Sequence, residues 1–172
     1  MRYLLLISLL FLLAIASFEF SFFYVEKNFS LEFRTFNKAL AKQVKFYIFR
    51  NKKLTWIIGG DRAVFINNKS IHIDNFFAKS KLFKLEAFAE TAQIFLKKKE
   101  ILLQRNVFIS FIHKGKLTTV TTNKAILDLK RNVIYGNSPV LIKEGMKKIK
   151  GRGFKFLIKD DILKIYEGIT SL

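Results

Sequence analysis

The sequence contains no cysteine, one proline, two histidines and only 13 acidic residues. Without cysteine, the chain has no disulfide scaffold, no cysteine-ligated zinc site and no cysteine nucleophile. Because 31 Lys and Arg face those 13 Asp and Glu, the formal net charge is +18. An excess of this size is typical of proteins that bind nucleic acid or another polyanion. The apolar fraction of 51%, with 20 Phe, excludes wholesale disorder and predicts one folded domain with a small appendage.

One long apolar run lies at the N-terminus. Tyr3–Phe18 is uncharged, and apolar residues resume after Glu19 as far as Val25. This stretch is long enough to cross a bilayer as a helix, with the glutamate near the outer interface. A cleaved signal peptide is the alternative, because residues 14–16 (AIA) supply a small-x-small cleavage site. We favour an uncleaved transmembrane anchor at residues 1–25 over cleavage, and both over a buried core helix.

The excess charge lies outside this segment. Residues 1–27 are neutral overall, so the +18 belongs to residues 28–172, where it is spread evenly and not as a basic tail. Nucleic acid is not the expected partner, because the chain is predicted to be exported and its Phe residues alternate with Lys as on the two faces of a strand. Part of the charge also follows from a composition rich in Phe, Lys, Ile and Asn, as AT-rich genomes produce.

Alternation of apolar and polar residues predicts strands from residue 44 onward. Val44–Phe49 and Leu54–Ile58 flank a polar turn at residues 51–53, which predicts a hairpin. The same pattern predicts further strands at 62–66, 70–74, 85–96, 100–111, 117–129, 132–135, 139–142, 148–158 and 161–170. An amphipathic stretch at 36–45 predicts a turn or two of helix. We therefore expect a connecting segment at 26–43 and an all-β domain at 44–172.

A two-strand unit recurs at about 30-residue spacing. Each unit has an apolar triplet, a polar turn and a second alternating strand. The triplets are Ala92/Ile94/Leu96, Ala125/Leu127/Leu129 and Phe154/Phe156/Ile158, and the second strands carry Ile101/Leu103, Val133/Tyr135 and Leu163/Ile165. An earlier unit has Ala63/Phe65 and Ile71/Ile73, and the polar turns lie at 67–69, 97–99, 130–132 and 159–161. Because one such unit cannot bury its own apolar face, the repeat predicts that neighbouring units stack around a shared interior.

Residues that carry out catalysis or bind cofactors are sparse. His72 and His113 are far apart, and neither has a second ligand type at metal spacing. The glycine clusters at 59–60 and 151–153 lack the strand–loop–helix setting of a phosphate-binding loop. Asp160-Asp161 is an adjacent acidic pair in a predicted turn. We therefore predict no enzyme, no metal and no cofactor.

Four stretches resemble the LptC family, the periplasmic component of the lipopolysaccharide export transporter. Trp56–Ala63 (WIIGGDRA) resembles its "W-x-hydrophobic-x-small-D-x-A" element. Residues 117–129 (LTTVTTNKAILDL) resemble its "T-x-x-A-x-hydrophobic-D" strand. Residues 137–140 (NSPV) are similar to its "x-x-P-V" element and 149–154 (IKGRGF) to its "G-x-G-hydrophobic" element. Order, spacing and the N-terminal span agree over the whole chain.

The resemblance implies an all-β fold, an open β-jellyroll of about 12–16 short antiparallel strands preceded by one N-terminal transmembrane helix. It implies a single-pass protein of the inner membrane of a Gram-negative bacterium, with its C-terminal domain in the periplasm. Such a protein is non-catalytic. It accepts lipopolysaccharide from the permease subunits of an inner-membrane ABC transporter and passes it to a periplasmic, LptA-like bridge jellyroll.

On this interpretation, the inward side chains contact the lipid. The candidates are Phe65, Ile73, Ile94, Leu96, Leu103, Leu127, Leu129, Tyr135 and Val140, for each of which simple core packing is the competing interpretation. Gly151 and Gly153 interrupt a strand, and the resemblance implies that this end docks the bridge protein. The alternative function is an exported basic β-domain that binds a polyanion on its surface.

Overall fold

The structure is a computed structural model that describes residues 38–66 and 69–171. The predicted anchor at 1–25, most of the connecting segment and residues 67–68 lie outside this range. The strands are β1 (Lys38–Arg50), β2 (Lys53–Ile66), β3 (Ser70–Ser80), β4 (Leu85–Phe95), β5 (Glu100–His113), β6 (Lys116–Asp128), β7 (Val133–Glu144), β8 (Lys147–Leu157), β9 (Ile162–Ile165) and β10 (Ile169–Ser171). Within the described range, no helix has the length and apolar character needed to span a membrane.

The strands form one open antiparallel sheet in chain order. Each strand from β1 to β8 pairs with the next, and both β9 and β10 pair with β8. The sheet therefore has β1 at one edge and the segment 162–171 at the other. The prediction of an all-β, antiparallel, open architecture is confirmed, and so is the hairpin turn after Arg50.

The predicted number and length of the strands are wrong. The described residues contain ten strands, and β1 to β8 have between 11 and 14 residues each. The segments 54–58 and 62–66 both belong to β2, and 132–135 and 139–142 both belong to β7. The predicted helix at 36–45 is also wrong, because the chain is extended from Lys38 onward.

The interruptions that suggested separate short strands lie at one level of the sheet, where the ladder skips Gln43, Asp61 and Asn75 in β1–β3 and the register shifts between the later strands. The register shifts between Phe88 and Thr91, and between Gln104 and Val107 on the neighbouring strand. Further shifts follow at 122–126 on β6 and 136–139 on β7. A bulge bends its strand and increases the local twist. Each long strand is therefore divided into two straight halves at the same level of the sheet.

The two sets of halves form two layers that face each other. Layer A comprises the halves that end near Lys69 and at the turns near residues 96–99, 129–132 and 158–161. Layer B comprises the halves that end at the turns near 51–52, 81–84, 114–115 and 145–146. Phe111 of layer B stacks on Phe156 of layer A with ring centroids 3.9 Å apart, and Phe46 meets Phe65 edge-on at 6.2 Å. The sheet is thus folded over its own inner face.

Cross-strand register aligns the inner apolar residues of each layer in a continuous row. In layer A the successive partners are Phe65, Ile71, Ile94, Ile101, Leu127, Ile134, Phe156 and Leu163. In layer B they are Phe46, Ile58, Ala78, Ala87, Ile109, Val120, Ile142 and Ile149. The predicted stacking of two-strand units around one interior is confirmed by these rows.

One predicted inward residue lies on the opposite face. Tyr135 pairs with Ile126 and Lys155, so it lies on the outer face, and Ile134 occupies the inward position with 0% exposure. The four-residue turn at 129–132 places Ile134 opposite Leu127. The predicted Val133/Tyr135 register on β7 is therefore off by one residue, which reverses every side chain of that half-strand.

Truncation of the two neighbours on β7 tests this register. Ile134→Ala should lower the free energy of unfolding by about 2–4 kcal/mol, because it removes a fully buried side chain from the layer A row. Tyr135→Ala, the matched control on the outer face, should cost about 1 kcal/mol or less. Urea denaturation of the full-length chain measures both, and equal costs would contradict the register.

Candidate functional site

The predicted lipid-contacting residues fall into three groups in the structure. Ile73, Leu103 and Leu127 are fully buried between the layers, and Ile94 and Val140 are also buried there. Phe65 and Leu129 are partly buried against the same core, whereas Leu96 is 43% exposed in the turn after β4. Tyr135 lies outside. Most of the predicted set is therefore one core, and a ligand reaches it only where the layers open.

The layers open at a cavity between the ends of strands from opposite layers. The cavity has a volume of about 280 Å³. Layer B contributes Ile48, Phe49, Arg50, Thr55 and Trp56, and layer A contributes Ile94, Phe95, Leu96, Lys99, Leu129 and Asn132. Exposed side chains of Phe49 and Leu96 lie at its rim. Of the residues predicted from the sequence, Ile94, Leu96 and Leu129 line this cavity.

The sequence did not identify the polar residues and the tryptophan of this cavity. Arg50, Trp56, Lys99 and Asn132 come from the β1–β2 hairpin and from two turns of layer A. Trp56 was noted only as part of a family-like motif. No local pattern brings these residues together, because their contact depends on how sharply the sheet folds.

A second, larger cavity adjoins the first at the end of layer B. It has a volume of about 750 Å³ and is lined by the start of β2, the β3–β4 turn and Ile112 of β5. Lys79, Lys81 and Lys84 are on its border. Trp56 lines both cavities and packs against Phe83, with ring centroids 5.9 Å apart. Trp56 is therefore a shared wall between two openings at the same end of the layers.

A polar contact joins the two layers at a different point. His113 Nδ1 lies 2.7 Å from Asp161 Oδ1, and the Lys114 backbone N–H donates to Asp161 Oδ2 at 2.8 Å. These bonds link the β5–β6 turn of layer B to the β8–β9 turn of layer A, beside the Phe111–Phe156 stack. The hydrogen bond from Lys114, with a smaller contribution from His113, holds the pKa of Asp161 below its usual value although burial opposes this. The layers are thus tied together here.

Gly151 and Gly153 lie inside the sheet and not at a free edge. Strand β8 pairs with β7 on one side and with β9 and β10 on the other. Between β9 and β10 the chain stays bonded to β8, because Arg152 N–H donates to the Tyr166 oxygen at 2.9 Å and Tyr166 N–H donates to the Gly153 oxygen at 3.0 Å. A partner that docks at this end of the sheet would therefore meet residues 162–171 before either glycine.

Among the residues that the structure describes, the titratable groups do not form a catalytic constellation. His72 lies 3.3 Å from Asp74, which also binds Arg62 at 2.6 Å on the outer face. Within residues 38–66 and 69–171, no cluster of His, Asp and Glu is arranged to hold a metal ion. The apolar interior and its cavity are therefore the best-defined candidate site of the domain.

Comparison with known proteins points in the same direction. The family model described as "Lipopolysaccharide-assembly, LptC-related" matches residues 69–172. No curated protein matches the chain. Among solved structures, the fold is similar to that of LptH from Pseudomonas aeruginosa, described as the LptA-homologous periplasmic component of the lipopolysaccharide transport device. The TM-score is 0.51 at 5% identity, over 78% of this chain and 94% of that chain. At this identity the likeness shows the fold alone, which is a jellyroll of the same kind.

The stability that the Asp161 contacts contribute should depend on pH. A carboxyl whose pKa is lowered on folding stabilises the fold above its unfolded value, 3.8 for Asp161, and loses that contribution as the pH falls through the lower folded value. Asp161→Asn should therefore lower the melting temperature of the full-length chain at pH 7. The difference from wild type should shrink at pH values below 3.8. Asp160→Asn, in the same turn, is the control, and a deficit of the same size at every pH would contradict the expectation.

Proposed function

Since this chain belongs to the LptC-related family of lipopolysaccharide-assembly proteins, we propose that it is a non-catalytic carrier that holds lipopolysaccharide between its two layers. Family membership assigns the chain to lipopolysaccharide transport. The observation that supports the specific role is the folded sheet, whose two inner apolar rows meet a cavity at the open ends of the layers. Acyl chains are the natural occupants of an interior of this composition, because their transfer out of water is favourable in proportion to the buried area.

We propose that the segment outside the described residues sets the location. Residues 1–25 would form a single-pass anchor in the inner membrane of a Gram-negative bacterium, which leaves the sheet in the periplasm. The carrier would then accept lipopolysaccharide from the permease subunits of an ABC transporter at that membrane. An LptA-like bridge jellyroll would receive it on the other side.

The two edges of the sheet support docking to such partners. On the side away from β2, β1 has no strand partner among the described residues, and the same holds for 162–171 on the side away from β8. An exposed edge can pair with a strand of a second sheet by main-chain hydrogen bonds. On β1 the exposed Lys42 and Lys45, the positive φ of Gln43 and the register shift at Ile48/Phe49 limit unspecific pairing, which is how natural edge strands avoid aggregation. The edges are therefore suited to specific and reversible contacts.

Site-specific crosslinking tests the carrier role. A photo-crosslinking amino acid at Leu96 or Leu129, in cells that make lipopolysaccharide, should capture the lipid, because both positions line the cavity between the layers. The same amino acid at Tyr135, on the outer face of layer A, should not. Capture of equal efficiency at Tyr135 and Leu129 would contradict an interior path for the lipid.

Gly153→Arg should impair both the folding of the domain and its docking to the bridge protein. Gly153 has a φ of +102°, and a Cβ there would lie 3.0 Å from the Gly136 carbonyl oxygen and 3.3 Å from the Tyr166 ring. Both Gly153→Ala and Gly153→Arg should lower the free energy of unfolding by about 1–2 kcal/mol or more. Denaturation of the full-length chain measures this loss, and binding to the bridge protein is measured alongside.

Gly115→Ala is the matched control for strain. Gly115 also has a positive φ, +76°, but nothing lies within 4 Å of its added Cβ. Its substitution should cost less than that of Gly153 and should leave docking intact. If Gly153→Arg is as stable as wild type and still loses the bridge protein, the glycine contacts the partner directly and the buried position assigned to it is wrong.

A further inference from the structure

The cavity between the layers has a cation on each side. Arg50 ends β1 in layer B, and Lys99 lies in the turn before β5 in layer A. Arg50 Nη2 donates to the Leu129 carbonyl oxygen at 3.4 Å, a long bond for a guanidinium. Neither cation forms a salt bridge within the part of the chain that the structure describes. The two positive charges therefore lie at the opening without a carboxylate partner.

The nearby carboxylates are directed elsewhere. Asp128 Oδ1 accepts the backbone N–H groups of Lys130 and Arg131 at 2.9 and 2.8 Å, and its other oxygen lies 3.6 Å from the Arg131 guanidinium. Glu100 alternates with the inward Ile101 and so lies on the outer face. The local field at the opening is therefore positive, and an anion is the complementary ligand.

Two buried polar atoms beside the same cavity have no hydrogen-bond partner. They are Trp56 Nε1, a donor, and Asn132 Oδ1, an acceptor, in side chains that are each 2% exposed. A buried polar group left unpaired in this way is destabilising, and nearly all such groups in folded proteins have a partner. Both residues line the cavity, Trp56 from layer B and Asn132 from a turn of layer A. Because the two atoms themselves are covered, side chains at the opening must shift for a ligand to reach them. A group that both accepts and donates hydrogen bonds fits this pair.

The remainder of the wall is apolar and leads toward the interior. Ile48, Ile94 and Leu129 line the cavity and also pack with the core between the layers. Phe49 and Leu96 extend the apolar surface outward at the rim. A volume of about 280 Å³ is near the lower end of the range for small-ligand sites, which suits a polar headgroup and not a set of acyl chains.

We propose that this cavity binds the phosphorylated sugar head of an amphiphile, with Arg50 and Lys99 holding the phosphate. A phosphate oxygen accepts the Trp56 Nε1–H, and a sugar hydroxyl donates to Asn132 Oδ1. The acyl chains continue along the apolar wall between the layers. This inference rests on the proposed function in one respect, that the amphiphile is lipopolysaccharide. It assigns the headgroup to Arg50, Lys99, Trp56 and Asn132, none of which belongs to the inner apolar rows.

Fluorescence of Trp56 provides a direct test, because the sequence contains one tryptophan. The full-length protein is titrated with lipopolysaccharide and with the same lipopolysaccharide after chemical removal of its phosphates. The phosphorylated form should change the Trp56 emission and bind about tenfold more tightly or better, since charge-assisted bonds of this kind contribute about 1.5–3 kcal/mol. Inorganic phosphate alone is titrated in parallel and should bind far more weakly than the lipid.

A charge-matched pair of double variants isolates the site. Arg50→Gln with Lys99→Gln removes the two cations of the cavity. Lys52→Gln with Lys97→Gln removes two exposed cations from the β1–β2 and β4–β5 connections. Neither of these two lysines lines the cavity. The first variant should bind phosphorylated lipopolysaccharide at least tenfold more weakly and bind the dephosphorylated form as wild type does. The second should change either affinity by less than about twofold.

The outcomes separate this inference from the function on which it rests. If the two double variants lose affinity equally, the charge acts without a specific site and the inference is wrong. The same holds if wild type binds both lipid forms equally, although the carrier role then survives. Inorganic phosphate that binds as tightly as the lipid would make the cavity a free-phosphate site. If wild type binds neither lipid form while remaining folded, the proposed function itself fails.

Discussion

The line of bulges across the sheet is the constraint on which the rest of the structure depends. A flat sheet of strands 11–14 residues long would expose its whole inner face to water, and no helix among the described residues covers that face. Because the strands bend at the same level, one half of the sheet packs on the other half. The Phe111–Phe156 stack, with ring centroids 3.9 Å apart, is a direct contact between the two layers. One sheet thereby supplies both sides of its own core.

Because the core is closed by folding one sheet, the two layers are joined by polar contacts at one place and separated by a cavity at another. Where the β5–β6 turn meets the β8–β9 turn, Asp161 binds His113 and the Lys114 backbone, and the layers are joined. Where the β1–β2 hairpin approaches the turns of layer A, the direct polar link is the 3.4 Å bond from Arg50 to the Leu129 carbonyl, and a cavity remains. A carrier needs an interior that is both stable and accessible. A fold closed at one place and open at another provides both.

The sequence predicted the inner rows well because period-two alternation and polar turns are local signals. It failed at three points for physical reasons. The ladder irregularity at Gly60-Asp61 in β2 and the bulge at 136–139 in β7 both resemble short turns in sequence, so each strand was divided in two. On β7 the inward positions are Ile134 and Gly136. Because glycine has no side chain, the alternating apolar pair in the sequence is Val133 and Tyr135, and this pair was wrongly predicted to face inward. The cavity was not predictable, because Arg50, Lys99 and Asn132 are brought together by the fold angle, which no local pattern encodes.

The net charge of +18 reflects a small number of acidic residues, 13 against 31 Lys and Arg, and the places of these acids are informative. Two of them have structural tasks at turns: Asp128, the last residue of β6, binds the backbone of the 129–132 turn, and Asp161 joins the layers. Most cations are exposed at turns and on outer faces, where water screens them and their contribution to stability is small. Arg50 and Lys99 differ from these because, although exposed, they border a cavity with a largely apolar wall, where an anion would be less fully hydrated than on the open surface. What distinguishes the opening is therefore the position of two cations on opposite sides of one largely apolar cavity, and not the abundance of lysine over the whole surface.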